Sequence, residues 1–193
     1  MSIRLLAGVA GLTLATLVAM SQVATPTRYW DMGAVGPERT ADELWQLADV
    51  VVLVQATGQR NEHWTSRDNK RWTAPENSGI TPLIVRDETV RVVKAWKGDL
   101  ASARLTVRTI GGTADGVHLD FDGMKPFRTN GTYLLYLQSV DWPTRDGLDR
   151  GVLTPVGHGQ GIFRETNGQF ANGARLVSTA DRIHASVGRP DIR

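Results

Sequence analysis

LIVRDETVRVVKAWKGDLASARLTVRTIGG, residues 83–112, is the stretch of sequence that decides the fold. Apolar Val90 and Val92 flank charged Arg91, and the same alternation of apolar and polar residues recurs near the end of the stretch. A period of two places apolar side chains on one face of a β-strand and charged side chains on the other. Residues 97–99 (KGD) lie between the two alternating halves, so the stretch predicts two strands joined by a turn.

Further strands are expected on both sides of this pair. Residues 50–54 (VVVLV) and 132–137 (TYLLYL) are apolar throughout, which is typical of strands in the centre of a sheet. Residues 115–122 alternate and predict a strand with one wet face. Shorter strands are expected over residues 151–156, 160–164 and 169–171, and polar loops over 59–79 and 141–150. The apolar residues expected to form one contiguous interior are Val51, Leu53, Val92, Leu105, Val107, Leu135 and Leu137.

Short helices are expected at both ends of this series of strands. Thr40 and Glu43 have the spacing of a capping box, which predicts a short helix before residue 50. A similar start at Ser178, with Gly188 as the stop, predicts a second helix near the C-terminus. Six or seven short strands between these helices favour an all-β (mainly β) fold, a small closed or partly open β-barrel, over a parallel α/β sheet.

Residues 1–21 have the pattern of an export signal. Basic Arg4 is followed by an uncharged apolar run and then small residues, which predicts a secretory leader cleaved before Gln22. An uncleaved membrane anchor is the alternative, because the apolar run is about long enough to span a bilayer. We expect residues 22–39 to be an irregular lead-in, 40–188 the β-barrel domain and 189–193 a tail.

Composition excludes several classes of function. The chain of 193 residues has no cysteine, so it contains no disulfide, no thiolate metal site and no cysteine nucleophile. Its formal net charge is only +2, and this small imbalance is no argument for a nucleic-acid partner, so none is expected. Membrane contact is expected only through the N-terminal segment.

Five segments resemble, in the same order, a family of exported bacterial proteins of unassigned function. They are LADVVVLVQATG (47–58), TVRVVKAWKGD (89–99), ARLTVRTIGG (103–112), MKPFRTNGTYLLYLQ (124–138) and PVGHGQGIF (155–163). The likeness covers about residues 41–165, and it departs at Trp96 and Thr132, where leucine and glutamate are usual. The resemblance implies an OB-like barrel of the netrin and metalloproteinase-inhibitor type, and it implies no reaction. The N-terminal cysteine with which such inhibitors clamp zinc is absent, so inhibition by that route is not expected.

A polar loop holds the candidate ligand-binding residues. Cationic Arg67, Lys70 and Arg71 are interleaved with Trp64 and Trp72. Cations can hold an anionic polymer, and indole rings stack on sugars or bases. These five residues are therefore the predicted ligand-binding site. In the alternative interpretation, both tryptophans fold back and cap the open end of the barrel.

Signals for metal binding and catalysis are weak. His118, Asp120 and Asp122 share one face of a predicted strand, but neighbours on that face lie about 7 Å apart, which favours a solvated face over a metal site. Residues 157–161 (GHGQG) lack the following helix of a phosphate loop and favour a tight turn. No serine has a G-x-S-x-G context. No catalytic residue, metal or cofactor is predicted.

The functional expectation is an exported, non-enzymatic β-barrel binding module that acts at the cell envelope. Its expected partner is a protein, or an anionic or glycan polymer. One alternative is a secreted hydrolase or metal-dependent enzyme whose site is assembled from distant residues. Another is a protein-pairing module that uses an exposed barrel edge.

Overall fold

The computed structural model describes residues 38–76, 78, 80–121, 123–172 and the backbone of 176–178. Within these residues the elements are α1 Ala41–Leu47, β1 Val50–Trp64, β2 Ile84–Lys97, β3 Arg104–Ile110, β4 Gly112–Ala114, β5 Val117–Leu119, β6 Thr132–Thr144, β7 Gly147–Pro155, β8 Ile162–Thr166, β9 Gln169–Asn172 and β10 Leu176–Ser178. The predicted leader, almost all of the lead-in and the predicted C-terminal helix lie outside the described residues. No helix in the described part of the chain is both long and apolar enough to cross a membrane.

Eight of the strands form one antiparallel sheet. Its order is β10-β9-β8-β6-β1-β2-β3, and β7 pairs with β6 as well. The long strand β6 pairs with β8 through residues 133–135 and with β7 through its later residues. The fold is therefore mainly β, as predicted. The closed form of the predicted barrel is not present among the described strands, because β3 and β7 lie beside each other without a hydrogen-bonded ladder.

The β2–β3 pair and the first helix confirm the predictions made for them. The β2–β3 ladder runs from the Val85–Ile110 pair to the Arg91–Arg104 pair. At the start of α1, the Glu43 amide donates to the Thr40 hydroxyl (3.3 Å) and the Thr40 amide donates to the Glu43 carboxylate (2.7 Å). This reciprocal pair satisfies two of the backbone donors that a helix start leaves open.

The apolar core lies on both faces of the sheet. Because β1 is central and its side chains alternate, Val52 packs on one face with residues of β2, β3 and β6. Val51 packs on the opposite face with Trp45 of α1 and Phe163 of β8. The single interior predicted for seven apolar residues is therefore wrong. Val51 and Leu53 belong to the second face, whereas the other predicted members, Val92, Leu105, Val107, Leu135 and Leu137, share the first.

Three predicted boundaries need correction. Strand β1 continues to Trp64, so residues 59–64 of the predicted loop belong to this strand, and residues 60–64 pair with β2 after a register shift between Ala56 and Arg60. A tight turn at residues 145–146 joins β6 to β7 where a loop over 141–150 was predicted. The strand predicted over 115–122 is reduced to β5, which pairs only with β4. In the first two cases, exposed polar residues gave paired segments the composition of loops.

Candidate functional site

Trp64 does not present its ring to solvent. Its side chain is 6% exposed and packs against Ile84 and Ala114 where β1 ends. An indole in this position cannot stack on a ligand without leaving the core. For Trp64 the structure agrees with the interpretation in which the tryptophan folds back onto the body of the protein.

The four other predicted ligand-binding residues lie beyond the end of β1. Arg67, Lys70 and Arg71 have exposed side chains, and Trp72 is half-buried. The turn that carries them is fixed by the Trp64 amide, which donates to Asn69 Oδ1 at 2.8 Å. Of the five predicted residues only Arg67 borders the pocket described next. The ligand-binding role of Arg67, Lys70, Arg71 and Trp72 stays a prediction.

A pocket of about 300 Å³ lies between the end of β1, the turn at residues 65–69 and the β6–β7 hairpin. We call it the hairpin pocket. Among the described residues its lining carries amide, hydroxyl, carboxylate, imidazole and guanidinium groups, with Leu148, which is 40% exposed, as the one large apolar side chain. The residues that line it are Asn61, His63, Thr65, Ser66, Arg67, Asn69, Thr144, Asp146, Leu148 and Asp149.

His63 uses both of its ring nitrogens within the protein. Nδ1 lies 2.9 Å from the Trp64 carbonyl oxygen, and Nε2 lies 3.1 Å from Asp87 Oδ2. Both partners accept hydrogen bonds, so both nitrogens can donate only when the ring is doubly protonated. The hydrogen bond to Asp87 raises the pKa of His63 above its ordinary value, although burial acts in the opposite direction. His63 therefore lines the pocket with both ring nitrogens directed at protein acceptors and none directed at a ligand.

A charged network continues from His63 across the open seam between β3 and β7. Arg108 donates from Nε and Nη2 to the two Asp87 oxygens, each at 2.7 Å, and from Nη1 to Asp149 Oδ2 at 2.7 Å. Burial alone would raise the pKa of Asp87, but the hydrogen bonds from Arg108 and His63 outweigh burial and lower that pKa to about 2. The guanidinium also lies 5.7 Å from the centroid of the Trp142 ring. Side chains thus hold β3 and β7 together where backbone hydrogen bonds do not.

A second buried network explains the glycine pair at residues 111–112. The Arg86 guanidinium donates to the carbonyl oxygens of Ile110 (2.9 Å), Gly111 (3.1 Å) and Met124 (2.6 Å). A Cβ at Gly111 would lie 2.7 Å from Arg86 Nη2, and one at Gly112 would lie 2.9 Å from Glu62 Cδ. The two glycines therefore leave room for charged side chains of β1 and β2.

Neither network was predicted, although one signal for the first was available. Asp87 and Arg108 are direct register partners in the β2–β3 ladder. Because opposite residues in an antiparallel pair share a face, a prediction of this register would have brought the two side chains close together. His63 and Asp149 come from distant strands, so spacing along the chain gives no indication of them.

The residues considered for metal and phosphate chemistry have structural partners. His118 Nδ1 lies 2.9 Å from Thr113 Oγ1, and Asp120 accepts two hydrogen bonds of 2.8 Å from Lys125. Asp122 lies outside the described residues, and those described include no group of three His, Asp or Glu residues placed to hold a metal ion. Residues 157–161 form a tight turn that leads into β8, in which a Cβ at Gly159 would collide with the Gly123 carbonyl oxygen.

Comparison with known proteins does not assign the chain to a family. No protein-family model, no curated protein and no solved structure matches it. The resemblance to netrin-like OB-fold proteins stays a prediction, and function is inferred from the site alone.

Proposed function

We propose that the protein is an exported, non-enzymatic binding module that holds a segment of a glycan in the hairpin pocket at the cell envelope. The observation that supports this most strongly is the mixed lining of the pocket, in which hydrogen-bond donors and acceptors stand side by side. A sugar hydroxyl both donates and accepts, so it matches such a lining better than a ligand that only accepts.

The charges around the pocket favour a hydroxyl-rich ligand over a polyanion. Arg67 brings a positive charge, but Asp146 and Asp149 border the same space. The carboxylates offset the positive charge, with Asp149 held in its ion pair with Arg108, so the lining has no excess of positive charge that would select a polyanion. Exposed Leu148 offers an apolar patch for the C–H face of a sugar ring.

Two lining side chains are free to make ligand contacts. The Asn61 amide and the Arg67 guanidinium make no side-chain hydrogen bond or ion pair with the residues that the structure describes, and Asn61 is exposed. By contrast, Asn69 Oδ1 accepts a hydrogen bond from the Trp64 amide, and Asp146 Oδ2 accepts one from the Arg67 amide. We therefore assign direct ligand contact to Asn61 and Arg67.

The hydrogen bonds of His63 favour a binding function over hydrolysis. Its two nitrogens face the Trp64 carbonyl and the Asp87 carboxylate, so the ring has no lone pair directed at a substrate. A general base needs such a lone pair within reach of the proton that it removes. The hydrogen bonds of His63 therefore give no support to a secreted hydrolase that uses this histidine as its base.

Export and family complete the proposal. Arg4 and the apolar run behind it support a secretory leader, and the order of the five resembling segments supports an OB-like barrel. In this proposal the strands β3-β2-β1-β6-β7 correspond to the barrel wall, which opens at the seam between β3 and β7. Loops at the mouth of such barrels commonly form binding surfaces, and the hairpin pocket occupies an equivalent place.

Calorimetric titration tests the proposal. The purified protein is titrated with chitotetraose and cellotetraose as neutral probes and with tetragalacturonate as the anionic probe, at low and high salt. We expect one neutral probe to bind with little dependence on salt, because uncharged contacts are not screened. Asn61→Ala should weaken that binding about fivefold, the value of one hydrogen bond. Gln46→Ala, which removes an exposed amide from α1, is the matched control. Absence of binding to both neutral probes, or unchanged binding by Asn61→Ala, would overturn the proposal.

A further inference from the structure

A second pocket lies at the opposite end of β6 from the hairpin pocket. It has a volume of about 400 Å³ and lies between the segment at residues 123–128 and the strands β6, β8 and β9. We call it the basic pocket. The lining residues that matter for its chemistry are Lys125, Arg128, Tyr133, Ile162, Arg164 and Asn172.

Among the residues that the structure describes, the lining of the basic pocket carries three cations and no carboxylate. Lys125 is neutralised by Asp120, whose two oxygens lie 2.8 Å from Nζ. The guanidinium groups of Arg128 and Arg164 make no hydrogen bond or ion pair with any other described residue. Two unpaired guanidinium groups beside one concave surface create a positive field that favours an anion.

Part of the remaining wall is apolar and held in place. Tyr133 is 3% exposed, and its hydroxyl accepts the Arg128 amide at 2.8 Å, which fixes the ring relative to the arginine backbone. The Phe127 ring packs against Tyr133 with 4.7 Å between centroids and supports it from the core side. Half-buried Ile162 lies on the neighbouring strand β8. A ligand in this pocket therefore meets both guanidinium groups and an apolar wall.

We propose that the basic pocket is a second ligand site that binds an oxyanion carried on a small apolar body, with Arg128 and Arg164 holding the oxyanion. Guanidinium groups pair with carboxylate and phosphate in a two-pronged geometry, and both oxyanions have the acceptor pattern required here. Tyr133 and Ile162 contact the apolar body. This site is separate from the hairpin pocket and does not depend on the function proposed for it.

Titrations with four small probes test the site. The purified protein is titrated with phenyl phosphate, benzoate, inorganic phosphate and benzyl alcohol, followed by amide NMR shifts. We expect phenyl phosphate or benzoate to bind about tenfold or more tightly than either inorganic phosphate or benzyl alcohol. Inorganic phosphate lacks the apolar body, and benzyl alcohol lacks the oxyanion. Preference between phenyl phosphate and benzoate identifies the oxyanion. Equal binding of benzyl alcohol, or no saturation by either aromatic anion at millimolar concentration, overturns the proposal.

Substitutions locate the binding. Arg164→Gln and Arg128→Gln should each weaken the aromatic anion about tenfold or more, and Arg164→Lys should restore only part of the loss, since lysine keeps the charge but loses the planar pair of donors. Arg104→Gln changes an exposed arginine on β3 at the far edge of the sheet and is the matched control. Arg128 has an exposed side chain outside the strands, so its variant tests the site even if Arg164→Gln disturbs β8. Wild-type affinity in Arg128→Gln would overturn the proposal.

Discussion

Acid should weaken the protein in a way that depends on Asp87. The pKa of this carboxyl is lowered from 3.8 to about 2 by the hydrogen bonds from Arg108 and His63, which outweigh the effect of burial. A carboxyl whose pKa is lowered by folding stabilises the folded state at pH values above its unfolded-state pKa. This contribution is lost as the pH falls towards its folded-state pKa. The difference between the two pKa values corresponds to about 2 kcal/mol of unfolding free energy. His63 stays protonated throughout this acid range and contributes nothing to the change.

Urea unfolding between pH 7 and pH 2 measures this contribution. Asp87→Asn alone would leave buried Arg108 poorly compensated, at a cost of about 3–5 kcal/mol, so the informative variant is Asp87→Asn combined with Arg108→Gln. We expect this double variant to lose about 2 kcal/mol less than the wild type between pH 5 and pH 2. Asp99→Asn, which changes an exposed carboxylate in the β2–β3 connection, should keep the wild-type profile. Equal acid losses in the double variant and the wild type would refute the reasoning.

Three further outcomes follow from the described contacts. Trp64→Ala should lower the free energy of unfolding by about 3–5 kcal/mol in urea, as truncation of a buried aromatic does, and a loss near zero would place the ring outside the core. Gly112→Ala should cost more than about 1 kcal/mol, since Gly112 has φ +126° and a Cβ there would press on Glu62; an unchanged melting temperature would contradict this packing. Because the pKa of His63 is raised in the folded protein, its charged ring should stabilise the fold fully below about pH 6.5, and this contribution should be lost as the pH rises through the folded pKa. His63→Gln should therefore flatten the alkaline side of the curve of unfolding free energy against pH. An NMR titration of the ring should give a midpoint above the ordinary histidine pKa.

The hairpin and the helix start could be predicted because their signals are local. Alternation around Val90 and Leu105 marks a strand whose two faces differ, and the Thr40–Glu43 spacing satisfies backbone donors within a single turn. Both features act over a few residues, so tertiary contacts were not needed to recognise them.

The end of β1 could not be predicted for a physical reason. The register shift between Ala56 and Arg60 inserts extra residues around Gly58 and breaks the alternation that marks a strand. Beyond the shift, charged side chains replace apolar ones because their partners are the charged residues of β2 and the backbone groups near Gly112. The sequence of this segment therefore predicts a polar loop with an exposed Trp64, although the segment is part of β1 and Trp64 is buried.

The candidate site shows the limits of a single sequence in another way. His63, Asp87, Arg108 and Asp149 meet because four different strands place them at one seam. Only the Asp87–Arg108 pair follows from hairpin register, and the other two depend on how β1 and β7 approach that hairpin. Arg67 reaches the hairpin pocket for the same reason, because its amide is held by Asp146 of the β6–β7 turn at 2.8 Å.

Amide chemical-shift mapping during titrations with chitotetraose and with cellotetraose tests the central claim most directly. If the hairpin pocket holds a glycan segment, the largest shifts will fall on residues 61–69 and 144–149, which surround the pocket, and will saturate. The shifts should disappear in the double variant Asn61→Ala/Arg67→Gln while the melting temperature stays that of the wild type, because neither side chain makes a hydrogen bond or ion pair with another described residue. Saturating shifts centred on another surface, with none at residues 61–69, would contradict the account.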